Sequence, residues 1–136
     1  MNTPEAETRR WLAYARSDLE AAQELLKKPD SYPRQVCFLA QQAAEKGLKA
    51  ALVFAGIGVP HSHDLDALRN FLPEGWRVKA EHPDLGALSV WAVEARYPGD
   101  SPAAVEADAR KAAQHAQAVW ESVCADLAKR GLDTST

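Results

Sequence analysis

The sequence predicts an all-α protein, an up-and-down bundle of four long helices plus one short helix. Two observations lead to it: apolar residues recur at three- and four-residue spacings through most of the 136 positions, and proline, glycine and capping residues punctuate those stretches. A third is that no segment has the pattern of a convincing strand, and no repeat or low-complexity tract interrupts the chain.

Thr3 and Pro4 read as the cap and first residue of helix one, after which Trp11, Ala15, Leu19, Ala22 and Leu26 form its apolar stripe. Arg9, Arg16, Glu20, Glu24 and Lys27 lie opposite, and Pro29-Asp30 stops the helix. Pro33 opens helix two, which runs to Ala55 and closes on Gly56 and Gly58. Its stripe is Val36, Ala40, Ala43, Gly47, Ala51 and Phe54, yet Phe38, Leu39 and Val53 fall off it, so two of its faces are expected to be covered. Ala40, Ala43, Ala44, Gly47, Ala50 and Ala51 would admit close neighbours, from the same chain or from a second subunit.

Ser62 is positioned to cap a short third helix carrying Leu65, Leu68 and Leu72. Pro73 to Pro83 then reads as a surface loop able to act as a lid. Leu85, Leu88, Trp91, Ala92 and Ala95 make helix four, broken at Tyr97-Pro98-Gly99-Asp100. Ser101 and Pro102 open helix five, whose Val105, Ala109, Ala112, Ala116, Val119, Val123 and Leu127 keep a near-heptad spacing to Gly131. Residues 1–131 are therefore one helical domain and 132–136 a frayed tail.

A formal net charge of −3 gives no general attraction to phosphate backbones, and no Lys/Arg run supplies a local one. Cys37 and Cys124 sit in apolar helical patterns away from any metal or redox spacing and read as buried free thiols. Neither a signal-peptide pattern nor a membrane-spanning apolar run is seen, so the expected compartment is the cytoplasm.

Three clusters could carry chemistry. Gln42, Glu45, Lys46 and Lys49 fall on successive turns of helix two, either as a surface ion-pair ribbon or as a groove where a lysine meets a phosphate and Gln42 reads a base or ribose. His61-Ser62-His63-Asp64 has metal-ligand residue types but lacks companions at ligand spacing, so capping by Ser62 or Asp64 explains it better and no metal or other cofactor is expected. Arg96 and Tyr97 lie just before the expected start of helix five, where first-turn N–H groups after Ser101 would help Arg96 hold an anion; dipole compensation with Tyr97 packed on the core is the competing explanation. His82 and His115 are isolated. No nucleophile motif, P-loop or dinucleotide fingerprint is present.

The block Phe38-Leu39-Ala40-Gln41-Gln42-Ala43-Ala44-Glu45-Lys46-Gly47-Leu48-Lys49-Ala50, followed by His63-Asp64-Leu65 and Glu94-Ala95-Arg96-Tyr97-Pro98, strongly resembles the HEPN family of helical nucleotide-binding domains. The resemblance implies a helical bundle, commonly a homodimer, often encoded beside a minimal nucleotidyltransferase. It covers nucleotide-binding or accessory subunits and also metal-independent ribonuclease toxins, whose motif is an Arg, four to six residues, then His. Here Arg96 is followed by Tyr97, Pro98, Gly99, Asp100, Ser101, Pro102 and Ala103, so the general acid/base is missing. The expectation is a dimeric nucleotide-binding or accessory subunit rather than an enzyme. Its candidate contacts are Arg96, Tyr97, Lys49, Lys46, Gln42, Glu45, His63 and Asp64, with the lysines and Arg96 bordering one hollow. The alternatives are a ribonuclease toxin with a degenerate site, for which RNA would be the substrate, and a purely structural dimerisation module.

Overall fold

In the computed structural model, which describes residues 3–134, α1 (Pro4–Leu26) begins where the sequence places it. The Thr3 hydroxyl accepts the Ala6 N–H at 3.0 Å, satisfying one of the donors a helix start leaves open. The link to α2 (Pro33–Phe54) passes through Ser31 and Tyr32, both at positive φ, and Pro33 then sets the first helical φ. At its far end Gly56, at φ +80°, lets the Gly56 and Ile57 N–H groups turn back to the Val53 and Leu52 carbonyls, both at 3.0 Å.

α2 is the axis of the fold. α1 and α7 (Glu106–Lys129) pack along it, and α3 (Leu65–Phe71), α5 (Gly86–Ser89) and α6 (Trp91–Glu94) cover the remainder. Val36, Cys37, Ala40, Ala43, Ala44, Leu48, Ala51 and Leu52 are accordingly buried around most of its circumference. Its double apolar character is thus accounted for inside one chain and does not require a second subunit. The small residues do allow close packing, with one exception. A Cβ added to Gly47 would meet nothing within 4 Å, so that glycine is not there for lack of space.

The all-α bundle agrees with the expectation, and four details differ. α3 is capped by Asp64, whose Oδ1 accepts from Asp66 and Ala67 N–H, while Ser62 Oγ accepts from Asp64 N–H one step earlier. The segment read as a loop or lid folds into α4 (Arg77–Glu81) and docks on α7. Trp76 and Val78 are buried there, and the Asp126 carboxylate accepts the Arg77 and Val78 N–H groups at 2.7 and 2.9 Å. Sequence periodicity cannot show this, because the cap comes from a residue some 50 positions away. Helix four is present as α5 and α6 joined at Val90, whose helical φ/ψ lets Glu94 N–H reach the Val90 carbonyl.

Finally, helix five starts at Glu106, not at Ser101-Pro102, because the Asp108 carboxylate accepts the Val105 N–H at 2.9 Å and fixes the start there. At the other end the expected tail is partly held. Gly131, at φ +95°, brings Leu132 N–H to the Leu127 carbonyl at 3.0 Å, Leu132 is buried, and the Asp133 carbonyl accepts from Arg9. The last two tail residues lie outside the described chain. Among the described residues no helix is long and apolar enough to cross a membrane.

Candidate functional site

The sequence-predicted residues fall into two groups on α2. The first is a buried polar network. Glu45 exposes only 5% of its side chain, and its Oε2 accepts from the Lys49 ammonium at 2.9 Å while Oε1 accepts from Gln41 Nε2 at 3.1 Å and meets His63 Nδ1 at 2.9 Å. Gln41 Nε2 also donates to the His63 carbonyl at 3.2 Å, which leaves Gln41 Oε1 to accept from Gln42 Nε2 at 2.8 Å. Burial pulls the Glu45 carboxyl upward, but the hydrogen bonds from Lys49, His63 and Gln41 outweigh it and hold the group below the ordinary glutamate range.

This network leaves little of the predicted phosphate-binding ribbon available. Lys49 has only 9% of its side chain exposed and lies 5.7 Å from the Trp11 ring centroid. Lys46 is paired with Asp18 at 2.6 Å and lies over Tyr14. Asp64 is committed to capping α3. His63 faces outward, with 64% of its side chain exposed.

The second group forms a cleft of about 530 Å³ at the start of α2, lined by Arg34, Glu94, Arg96, Tyr97 and, from the connection that follows, Pro98, Gly99 and Ser101 to Ala104. Arg34 donates through Nη1 to the Ala95 carbonyl at 3.0 Å, which anchors one edge of its fork and ties α2 to the end of α6. The Arg96 guanidinium lies 5.8 Å from the Phe38 centroid and 5.3 Å from that of Tyr97. Neither arginine makes a carboxylate pair within 4 Å among the described residues, although Glu94 lines the same cleft. Tyr97 is 59% exposed, so it is no lid on the core.

The expected hollow therefore joins Arg96 and Tyr97 with Arg34, and not with Lys46 and Lys49. From Arg34 to Lys49 is about 22 Å along α2 at 1.5 Å per residue, and both lysines are neutralised where they stand. The helix-start contribution expected after Ser101 is also absent, since Ser101 to Ala104 are non-helical and the real first turn of α7 carries Glu106 and Asp108. Arg34 is not among the residues the sequence singles out. Its signal is a cation in the first turn of a helix, against the helix dipole, which marks it as held there for another purpose.

His115 does not serve this cleft. It sits on α7 facing His82, with ring centroids 5.9 Å apart. Among the described residues no group of three or more His, Cys, Asp and Glu side chains is arranged to hold a metal ion.

Comparison with known proteins bears on most of the chain. The family model described as the HEPN domain matches residues 8–127. The crystal structure of TT1696 from Thermus thermophilus superposes with a TM-score of 0.74 at 29% sequence identity, covering 88% of this chain and 98% of that one. No curated protein matches.

Proposed function

This chain belongs to the HEPN domain family, and from that premise we propose that it is a nucleotide-binding or accessory subunit that holds a nucleoside phosphate in the Arg34–Arg96–Tyr97 cleft. The observation that carries this reading is the pair of guanidiniums, free of carboxylate partners, on one cleft with an exposed phenol beside them. Two guanidinium groups lining one concave surface suit an anion with several oxygens, and Tyr97 offers a face on which a base or sugar can rest. The chain's overall charge of −3 makes that local concentration of positive charge selective for a small ligand over a long polyanion.

The family likeness supports two further parts of the reading: the subunit works as a homodimer, and its partner is a minimal nucleotidyltransferase. The ribonuclease alternative finds no general acid/base beside Arg96, because the seven residues after it contain no histidine and His115 is engaged with His82. The purely structural alternative is less favoured, because most of the apolar surface of α2 packs within the chain, with Phe38 and Leu39 partly buried.

Titration calorimetry with AMP, ATP and GTP tests the reading. Wild type should give saturable heats, and Arg34→Ala and Arg96→Ala should each weaken binding about 10- to 150-fold, the worth of a hydrogen bond to a charged group. The Arg96 side chain is exposed, so Arg96→Ala should barely move the melting temperature, whereas Arg34→Ala also loses the bond to the Ala95 carbonyl and should cost about 1–2 kcal/mol. Wild-type heats equal to dilution, or heats that neither substitution alters, would remove nucleotide binding from the account.

A further inference from the structure

The seam between α4 and α7 is fastened at both ends of α4. At its start, Asp126, buried on α7, accepts the Arg77 and Val78 N–H groups at 2.7 and 2.9 Å. At its end, the Ser122 hydroxyl donates to Glu81 Oε1 at 2.6 Å, and His82 Nε2 meets Ser122 Oγ at 3.1 Å. The Ser122 proton is spent on a carboxylate, so His82 must donate from Nε2, and in the neutral ring Nδ1 then carries the lone pair. His82 also faces His115, about two turns before Ser122 on α7, at 5.9 Å between ring centroids.

We propose that this seam is an acid-released clasp, in which proton uptake by His82 and His115 frees α4 from α7 while α1, α2 and the rest of α7 stay assembled. Two half-buried imidazoles facing each other at a tilt of 36° tolerate being neutral, but two imidazolium ions at that separation repel, and partial burial strips each of some of its hydration. Burial holds both histidines below their ordinary range. For His82, Glu81 and the Ala118 carbonyl pull back; for His115, His82 and Lys111 add to the effect and Asp84 opposes it. The remaining charged neighbours are already paired: Arg69 donates to the His82 carbonyl and to Asp66, Arg77 pairs with Glu81, and Arg130 with Asp126. Of the facing carboxylates, Glu81 is held below the ordinary glutamate range by its hydrogen bonds from Ser122 and Arg77, so it stays charged where a histidine takes up a proton.

The sign follows from proton binding. A histidine whose folded pKa is depressed binds its proton more readily once exposed, so opening becomes easier as the pH falls below about 6.5. Each histidine can raise the opening constant by up to about tenfold between pH 7.5 and 5.5.

Hydrogen exchange at the Val78 amide, bound to Asp126, reads the opening directly, and the Leu48 amide of α2 reads global unfolding. After correction for intrinsic exchange, Val78 protection in the wild-type protein should fall at least tenfold from pH 7.5 to 5.5 and stay well below that of Leu48. In His82→Gln/His115→Gln, which keeps a hydrogen-bonding amide at both positions, the fall should be under threefold. If that double variant does not fold, His115→Gln alone should remove roughly half of the logarithmic response. A pH-independent Val78 amide, Val78 and Leu48 exchanging at one rate, or an undiminished response in the variants would each overturn the clasp.

Discussion

Replacing Glu45 with alanine separates a buried network from a surface ion pair by its magnitude. An exposed Glu–Lys pair at i,i+4 stabilises a helix by only about 0.2–0.5 kcal/mol. Here both partners are more than nine-tenths buried, and the same carboxylate also takes hydrogen bonds from Gln41 and His63. Its removal leaves the Lys49 ammonium buried beneath Trp11 and the Gln41 amide short of an acceptor. Removing one member of a buried pair typically destabilises by about 3–5 kcal/mol, which for a chain of 136 residues corresponds to a melting-temperature drop of about 10–17 °C. Thermal denaturation followed by circular dichroism, with urea unfolding as a second measure, gives both quantities. The paired variant Glu45→Met/Lys49→Met should recover most of the loss, because it removes the charge and its counter-charge together. The wild-type network should also weaken in acid. A carboxyl held low in the fold contributes stability above the ordinary glutamate range, and that contribution disappears as the pH falls through its folded value, so Glu45→Ala should flatten this limb. A loss below 1 kcal/mol in Glu45→Ala, or a paired variant no better than the single one, would refute the buried-network reasoning.

Three other outcomes follow from the packing. Asp126→Ala should destabilise by about 2–4 kcal/mol, because two backbone donors lose their acceptor, and the loss should be largest at α4 by hydrogen exchange. Gly47→Ala should stabilise by about 0.5–1 kcal/mol in urea unfolding, since the helix gains a better former and the new methyl meets no atom within 4 Å. Burial, with Asp108 adding, pushes the Cys37 thiol up to about 12, and burial likewise pushes Cys124 up to about 11 with Arg16 opposing. Neither should react with a disulfide reagent at pH 8 until the protein is unfolded, when both should.

Local chemistry made the long elements legible in the sequence. Thr3 before Pro4 and the glycines at 56 and 131 set helix ends through hydrogen bonds within a few residues, so their geometry follows from their order. What escaped depends on residues distant in sequence. Asp126 makes α4 from an apparent loop, and Asp108 rather than Ser101 determines where α7 starts. The block Gln41 to Lys49 lies on one helix as its spacing predicts, but spacing alone could not reveal that Glu45 and Asp18 occupy both lysines. Arg96 and Tyr97 were legible as a pair at a helix end. Arg34 needed the fold, because 61 positions separate it from the Ala95 carbonyl that holds it.

Amide chemical shifts recorded while AMP is added to the uniformly labelled protein examine the cleft itself. Saturable changes confined to Arg34, Arg96, Tyr97 and the connection through Ala104, with Val78 and Leu48 unmoved, are the expected result. A spectrum unchanged at millimolar AMP, or changes centred on Lys46 and Lys49 instead, would contradict the assignment of the phosphate to the two arginines.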